Sequence, residues 1–254
     1  MEFDLRDKVA VVTGGSRGIG KAIAQAFLEA GASVMLVSRK AEVLEAVQRE
    51  FAERFGDDRV ASVAGNVGDE SVPGEVVAET LRRYSAVDIL VNNAGTNPHY
   101  GSLLTITTSQ IDKIFDVNVR AVMLWTQAVW SQYWSVNTDA RGSVINLASI
   151  GGLSVDRNIA MYNVSKAAVI HLTKQLAPEL GPNVRVNTIS PGLVKTDMAR
   201  ALWEGREDEI AHNFPLRRLG DPSDIGDLAV FLASDRASWI TGSNFVADGG
   251  ALVS

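Results

Sequence analysis

Short β-branched runs alternate with longer stretches of helical spacing along almost the whole chain, and this alternation restricts the fold more than any other feature. The strand-like runs are Val9–Thr13, 33–37, Val60–Ala64, 88–92, 143–148, 184–189 and Asn244–Ala247. Between them apolar residues recur at helical intervals in Gly18–Glu29, Ala41–Phe55, 76–84, 110–134, 161–180 and 223–233. Parallel strands need long crossover connections, usually helices, so the pattern predicts an α/β fold. Seven strands and six helices in this order fit a doubly wound, seven-stranded parallel sheet with helices on both faces. Pro73 and Gly74 fall near the start of the third helix, where the first turn tolerates proline. No linker, low-complexity tract or repeat interrupts the pattern, so 1–254 reads as one domain.

Composition narrows the function. Hydrophobic residues make up 46% and charged residues 21%, enough apolar material for a large core. No run of about 18 apolar residues is present, so no membrane span is predicted. The opening MEFDLRDKVAVV is acidic and leads into a strand, unlike a secretory signal, and the closing ALVS shows no targeting signal. A net charge of −6 argues against nucleic acid, whose phosphates require basic patches. With no cysteine, disulfides, thiolate nucleophiles and thiolate metal sites are excluded. His99, His171 and His212 lack metal-ligand spacing. The expectation is a cytoplasmic protein without a metal, acting on a small molecule. One connection, 193–219, is too long for an ordinary loop; Trp203 and Phe214 within it suit a lid over a substrate or a contact between subunits.

Thr13-Gly14-Gly15-Ser16-Arg17-Gly18-Ile19-Gly20 closes the first strand and opens a helix. Backbone without side chains can approach a pyrophosphate, and a helix N-terminus offers unpaired N–H groups and the positive end of its dipole. The spacing is G-x-x-x-G-x-G rather than G-x-G-x-x-G, and tight packing alone is the competing explanation. The second strand ends Ser38-Arg39-Lys40 without the carboxylate that holds a ribose 2′-hydroxyl in NAD-preferring folds. Arg39, with Arg17 and Ser38, suits a 2′-phosphate, hence NADP(H), although cations at a helix start are also ordinary surface.

Tyr162 and Lys166 stand at i,i+4 and so share one helical face. An ammonium beside a phenol favours the phenolate, which suits proton transfer, though such pairs also occur on solvated faces. Ser149, at the end of the fifth strand, can reach the same crevice, as can the amides of Asn92-Asn93-Ala94-Gly95 after the fourth; both segments also read as simple turns. Asn118 is an amide within an apolar helical stretch, and a buried amide needs partners. A water relay or a helix kink would account for it.

Taken in order, these motifs resemble the short-chain dehydrogenase/reductase family over nearly the whole chain. Thr13 to Gly20 resembles its cofactor turn, Asn92-Asn93-Ala94-Gly95 its sheet motif, and Asn118, Ser149, Tyr162 and Lys166 its catalytic tetrad. Ser190-Pro191-Gly192-Leu193-Val194-Lys195-Thr196 resembles the segment against the nicotinamide, and 220–225 and 240–250 the C-terminal half. The resemblance implies a Rossmann-type domain in which Tyr162 is the general acid or base and Lys166 supports it and bonds the ribose. Ser149 would position the carbonyl, and Asn118 would hold a water that relays protons to Lys166. It further implies that Gly14, Ser16, Arg17, Gly18, Ile19, Gly20, Ser38, Arg39, Asn66, Val67, Asn93, Ala94 and Gly95 contact the dinucleotide. Tyr162, Lys166, Pro191, Gly192, Val194 and Thr196 complete that set. The implied activity is hydride transfer between NADP(H) and a carbonyl or secondary alcohol in a homotetramer with 110–134 and 161–180 at an interface.

The C-terminal half is similar to 3-oxoacyl-acyl-carrier-protein reductases, which points to a 3-oxoacyl thioester and a basic patch drawn from Arg17, Arg120, Arg157, Arg217 and Arg218. Asn97-Pro98-His99-Tyr100 is somewhat like the mouth loop of carbonyl reductases. The alternatives are a ketone or alcohol dehydrogenase using NAD(H), and a dinucleotide-sensing protein without turnover.

Overall fold

In the computed structural model, which describes residues 4–156 and 158–253, all seven strands join one parallel sheet. They are β1 (Val9–Thr13), β2 (Ser33–Ser38), β3 (Val60–Ala64), β4 (Ile89–Asn92), β5 (Gly142–Leu147), β6 (Val184–Pro191) and β7 (Asn244–Ala247), in the order β3-β2-β1-β4-β5-β6-β7. The chain leaves β1 toward one edge and resumes at β4 toward the other. That reversal opens a crevice at the carboxyl ends of β1 and β4, where doubly wound sheets bind ligands.

Each sheet face has its own core because successive side chains point opposite ways. Ala10, Val12, Val34, Leu36, Ile89 and Ile145 meet Phe27 of α1 (Gly18–Glu29), Leu44 of α2 (Ala41–Phe55) and Ile225 of α9 (Pro222–Ala233). Val11, Met35, Leu90 and Val144 meet Val76 of α3 (Val72–Tyr84) and Trp125 of α5 (Ala121–Val129). The central strands are therefore apolar throughout, as a sheet covered on both sides requires. α3 begins four residues before the predicted 76, since Pro73 occupies its first turn.

The predicted helix 110–134 is interrupted. α4 (Thr108–Phe115) starts at a capping box between Thr107 and Gln110, and passes through a π turn, Asp116–Arg120, into α5. A second π turn, Trp130–Trp134, follows, and there Trp134 donates its indole N–H to the Val87 carbonyl at 2.9 Å. Each π turn closes an i→i+5 bond, Ala121 N–H to Asp116 and Ser135 N–H to Trp130.

The connection 193–219 is folded. Its ends pair through Gly220 N–H to Leu193 and Lys195 N–H to Gly220, and it contains α7 (Arg200–Trp203) and α8 (Glu207–Ala211). Finally, a buried polar chain crosses the middle of the sheet: Asn92 Nδ2 to Asn146 Oδ1 at 2.9 Å, Asn146 Nδ2 to Thr173 Oγ1 at 2.9 Å, and Thr188 Oγ1 to Thr173 Oγ1 at 2.6 Å. It ties β4, β5 and β6 to α6 (Ala160–Leu180). No helix among the described residues is long and apolar enough to cross a membrane.

Candidate active site

The turn after β1 is clipped to the end of β4. Thr13 Oγ1 accepts from the N–H groups of Asn93 (3.0 Å) and Ala94 (3.1 Å), while Asn93 Nδ2 donates to the Thr13 carbonyl at 2.8 Å. This closeness explains two of the glycines. A Cβ at Gly14, whose φ is +67°, would lie 2.6 Å from Asn93 Nδ2, and one at Gly20 would lie 2.3 Å from the Gly14 carbonyl oxygen. α1 then starts with no side-chain cap and no acidic residue in its first turn, leaving its positive end open to the cleft.

Around that helix start, Ser16 and Ser38 share a hydrogen bond of 2.8 Å, Arg39 is exposed, and Arg17 lies 3.8 Å from Asp197. Asn66 and Val67 line the cleft below β3, and Gly95, Pro191 and Thr196 line it farther along.

The other end of the cleft is built on α6. Tyr162 and Lys166 both open onto it, with the Lys166 ammonium 5.6 Å from the centre of the phenol ring. That ammonium donates to the Leu147 carbonyl at the end of β5, at 2.7 Å, and burial pushes its pKa down to about 8. Burial likewise pushes the Tyr162 phenol up to about 12, against a hydrogen bond with Ser149 that lowers it. The lowering by Lys166 expected from their spacing is not found: the ammonium is bonded to Leu147, not to the phenol, and the Ser149 hydrogen bond is what opposes the rise from burial. Ser149 sits one residue past the cleft wall, and its Oγ accepts the Gly151 N–H at 3.1 Å.

Asn118 lies beneath the cleft, 1% exposed. In the π turn its amide reaches sideways: Oδ1 accepts Thr96 N–H at 2.8 Å, and Nδ2 donates to the Thr96 carbonyl at 3.0 Å and to Ser165 Oγ at 3.0 Å. Ser165 in turn donates to the Tyr162 carbonyl at 2.6 Å. Both amide atoms are committed to protein groups, so the side chain clamps the post-β4 loop to α6.

A strand-to-helix glycine turn and a Tyr–Lys face thus share one crevice, and comparison with known proteins identifies the family of the chain. The family profile described as Enoyl-(Acyl carrier protein) reductase matches residues 14–251. Dehydrogenase/reductase SDR family member 4 of Oryctolagus cuniculus is 40% identical over 251 residues, covering 97% of this chain and 94% of that protein. The Homo sapiens protein of the same name is 40% identical over 250 residues, covering 97% and 88%. The crystal structure of a short-chain type dehydrogenase/reductase from Mycobacterium marinum superposes with a TM-score of 0.91 at 34% identity, covering 99% of this chain and 98% of that one. The chain belongs to the short-chain dehydrogenase/reductase family.

It is therefore an oxidoreductase of a family that binds a nicotinamide dinucleotide. The crevice fits that group in two observable ways. The uncapped start of α1 suits a pyrophosphate, and a Cβ at Gly18 would meet only the Thr196 side chain, at 3.2 Å. Of the residues the sequence singled out for the cofactor, Gly192 and Val194 do not open onto the cleft. Gly192 packs on Asp248, to which a Cβ would come within 2.7 Å of Cα. Val194 is buried and bridges to Gly220.

The cleft also includes Thr96, Lys113, Val117 and Met198, which sequence reasoning passed over. Lys113 near the end of α4 and Val117 in the π turn that follows stand four residues apart, a spacing hidden among several such pairs. The Lys113 side chain has no hydrogen bond or ion pair among the described residues. The anticipated basic patch is dispersed by pairing. Arg120 faces Glu70 and Asp116, Arg218 faces Asp224, and Arg217 is bonded to the His212 carbonyl. Arg157 lies outside the described residues. His99 is tied to the Ser102 carbonyl at 3.0 Å.

Proposed function

We propose that this protein transfers hydride between NADP(H) and a carbonyl or secondary alcohol, with Tyr162 moving the proton. The observation that carries the reading is the common cleft. Tyr162 and Lys166 open onto the same crevice as the uncapped helix start, and Ser149 bonds the phenol. Ser16, Ser38 and the exposed Arg39, with no carboxylate among them, support the phosphorylated cofactor over NAD(H).

A reduced nicotinamide held in this crevice would supply the hydride for a carbonyl carbon. As negative charge grows on the oxygen, the Ser149 and Tyr162 hydroxyls donate to it, and the phenol proton transfers. With its pKa pushed up to about 12, the phenol is protonated throughout the neutral range, as an acid for reduction must be. Lys166 places a positive charge near the tyrosinate that forms, and a pKa of about 8 lets it exchange protons near neutral pH. Asn118 holds Thr96 and, through Ser165, the Tyr162 turn of α6 in register.

Tyr162→Phe tests the assignment. NADPH binding, followed by its fluorescence, should stay within about twofold, while carbonyl-dependent oxidation of NADPH falls by roughly 10²–10⁴. Turnover close to wild type would refute the role of Tyr162. Tight NADPH binding by the wild-type protein without turnover on any carbonyl would favour a dinucleotide sensor.

A further inference from the structure

Among the described residues, the cations Arg17, Arg39, Lys113 and Lys166 open onto the cleft against a single carboxylate, Asp197. Lys166 donates to the Leu147 carbonyl, Arg17 lies 3.8 Å from Asp197, and the exposed Arg39 follows Ser38 at the end of β2. Lys113 is half-buried, yet no described group accepts from its ammonium. Asp116, three residues on, faces Arg120 instead.

Neighbours along the helix fix where Lys113 stands. Gln110, one turn earlier, donates to the Pro98 carbonyl of the post-β4 loop at 3.3 Å. Val117, one turn later, lies against the turn after β3: a Cβ at Gly68 would meet Val117 Cγ2 at 3.8 Å and Asn66 Oδ1 at 3.9 Å. Residues 110, 113 and 117 share one helical face, so Lys113 stands on the crevice wall between these two turns. α1 packs on the opposite side of the sheet, with Phe27 in one core and Val117 in the other. The uncapped α1 start and Lys113 therefore flank the crevice at the ends of β1 and β4 from opposite sides.

A dinucleotide carries about two negative charges on its pyrophosphate, and a helix start supplies only about half a positive one. We propose that Lys113 supplies much of the balance: its ammonium bonds the pyrophosphate from the side opposite the α1 start, so that the phosphates are held between a helix end and a cation. This rests on the dinucleotide-dependent hydride transfer proposed above. Ser16, Ser38 and Arg39 sit at the ends of β1 and β2 and serve a 2′-phosphate. Lys113 acts instead on the part that NADPH and NADH share. It binds and orients, and takes no part in the proton or hydride step.

The test uses Lys113→Met and Lys113→Gln, which remove the charge, and Lys113→Arg, which keeps it. Fluorescence titration should show NADPH and NADH weakened by the same factor, about five- to twentyfold, in the two neutral variants, and restored to within about threefold in Lys113→Arg. ADP-ribose, which has the pyrophosphate but neither nicotinamide nor 2′-phosphate, should lose the same factor by calorimetry. Added salt should weaken the wild type more than Lys113→Met, since only the wild type has this ion pair to screen. Urea midpoints equal to wild type separate lost binding from lost folding.

Unchanged NADH and ADP-ribose affinity in a folded neutral variant overturns the inference and leaves hydride transfer untouched. A loss confined to NADPH overturns it too and moves Lys113 to the 2′-phosphate. An equal loss in Lys113→Arg also overturns it, because the charge is still there. A wild type that binds both dinucleotides but turns over no carbonyl sinks the hydride reading alone, and the titrations still decide Lys113. A wild type that binds neither dinucleotide sinks both.

Discussion

Replacing Asn118 with leucine keeps a side chain of similar reach while removing every polar contact the amide makes. Thr96 N–H and Thr96 carbonyl lose partners at 2.8 and 3.0 Å, whereas Ser165 keeps its bond to the Tyr162 carbonyl. Two backbone groups are left unpaired at about 1–3 kcal/mol each, or roughly 2–6 kcal/mol together. Thr96 is only partly buried, so water recovers some of this, and about 2–4 kcal/mol is the expected loss. Urea unfolding followed by circular dichroism, with linear extrapolation, reads it directly as a lower midpoint at unchanged slope. The post-β4 loop and the Tyr162 turn also lose their clamp, so kcat should fall even where the variant is fully folded. A stability loss under about 1 kcal/mol with full activity would refute the clamp and return Asn118 to an incidental helix residue.

Lys166 carries a pH signature. Its folded pKa of about 8 lies below the ordinary 10.5, so below pH 8 both states are protonated and the cost of burying the ammonium is fully present. Between 8 and 10.5 the unfolded chain binds more protons, and stability rises with pH. From pH 8 to 9.5 the wild type should gain about 1.5 kcal/mol relative to Lys166→Met, measured by urea midpoints at the two pH values; parallel behaviour would contradict the buried ammonium. Arg39→Asp removes a charge-assisted bond worth about 1.5–3 kcal/mol, so the ratio of NADPH to NADH affinity should fall by at least about tenfold in fluorescence titrations. An unchanged ratio would place the 2′-phosphate elsewhere.

The parts legible in the sequence are those governed by local periodicity and turn chemistry. Alternating strands and helices announce the sheet, and the glycines of 14–20 announce the turn because only they permit Asn93 and the Gly14 carbonyl so close. What stayed hidden depends on distant partners. The π turn at Asp116–Arg120 leaves no mark in the apolar spacing, since the bonds its Asn118 makes go to Thr96, 22 residues away, and Ser165, 47 away. Gly192 and Val194 sit within a motif that faces the cleft only in part, and their packing against Asp248 and Gly220 is set by the C-terminal segment. The direction of the Tyr162 pKa is not legible in the i,i+4 spacing, because solvent exclusion, its main cause, is a property of the folded cleft.

The polar chain through Asn92, Asn146, Thr173 and Thr188 bears on how such a scaffold changes its substrate. Directional bonds in the dry centre of the sheet fix the height and rotation of α6 against three strands at once. Sliding the helix by one turn would break every link. The reacting groups at the strand ends thus inherit much of their spacing from the middle of the molecule, with the Asn118 clamp on Thr96 as a further tie to the post-β4 loop. Beyond that clamp, loops could be rewritten or lengthened while the chemistry beneath kept its alignment.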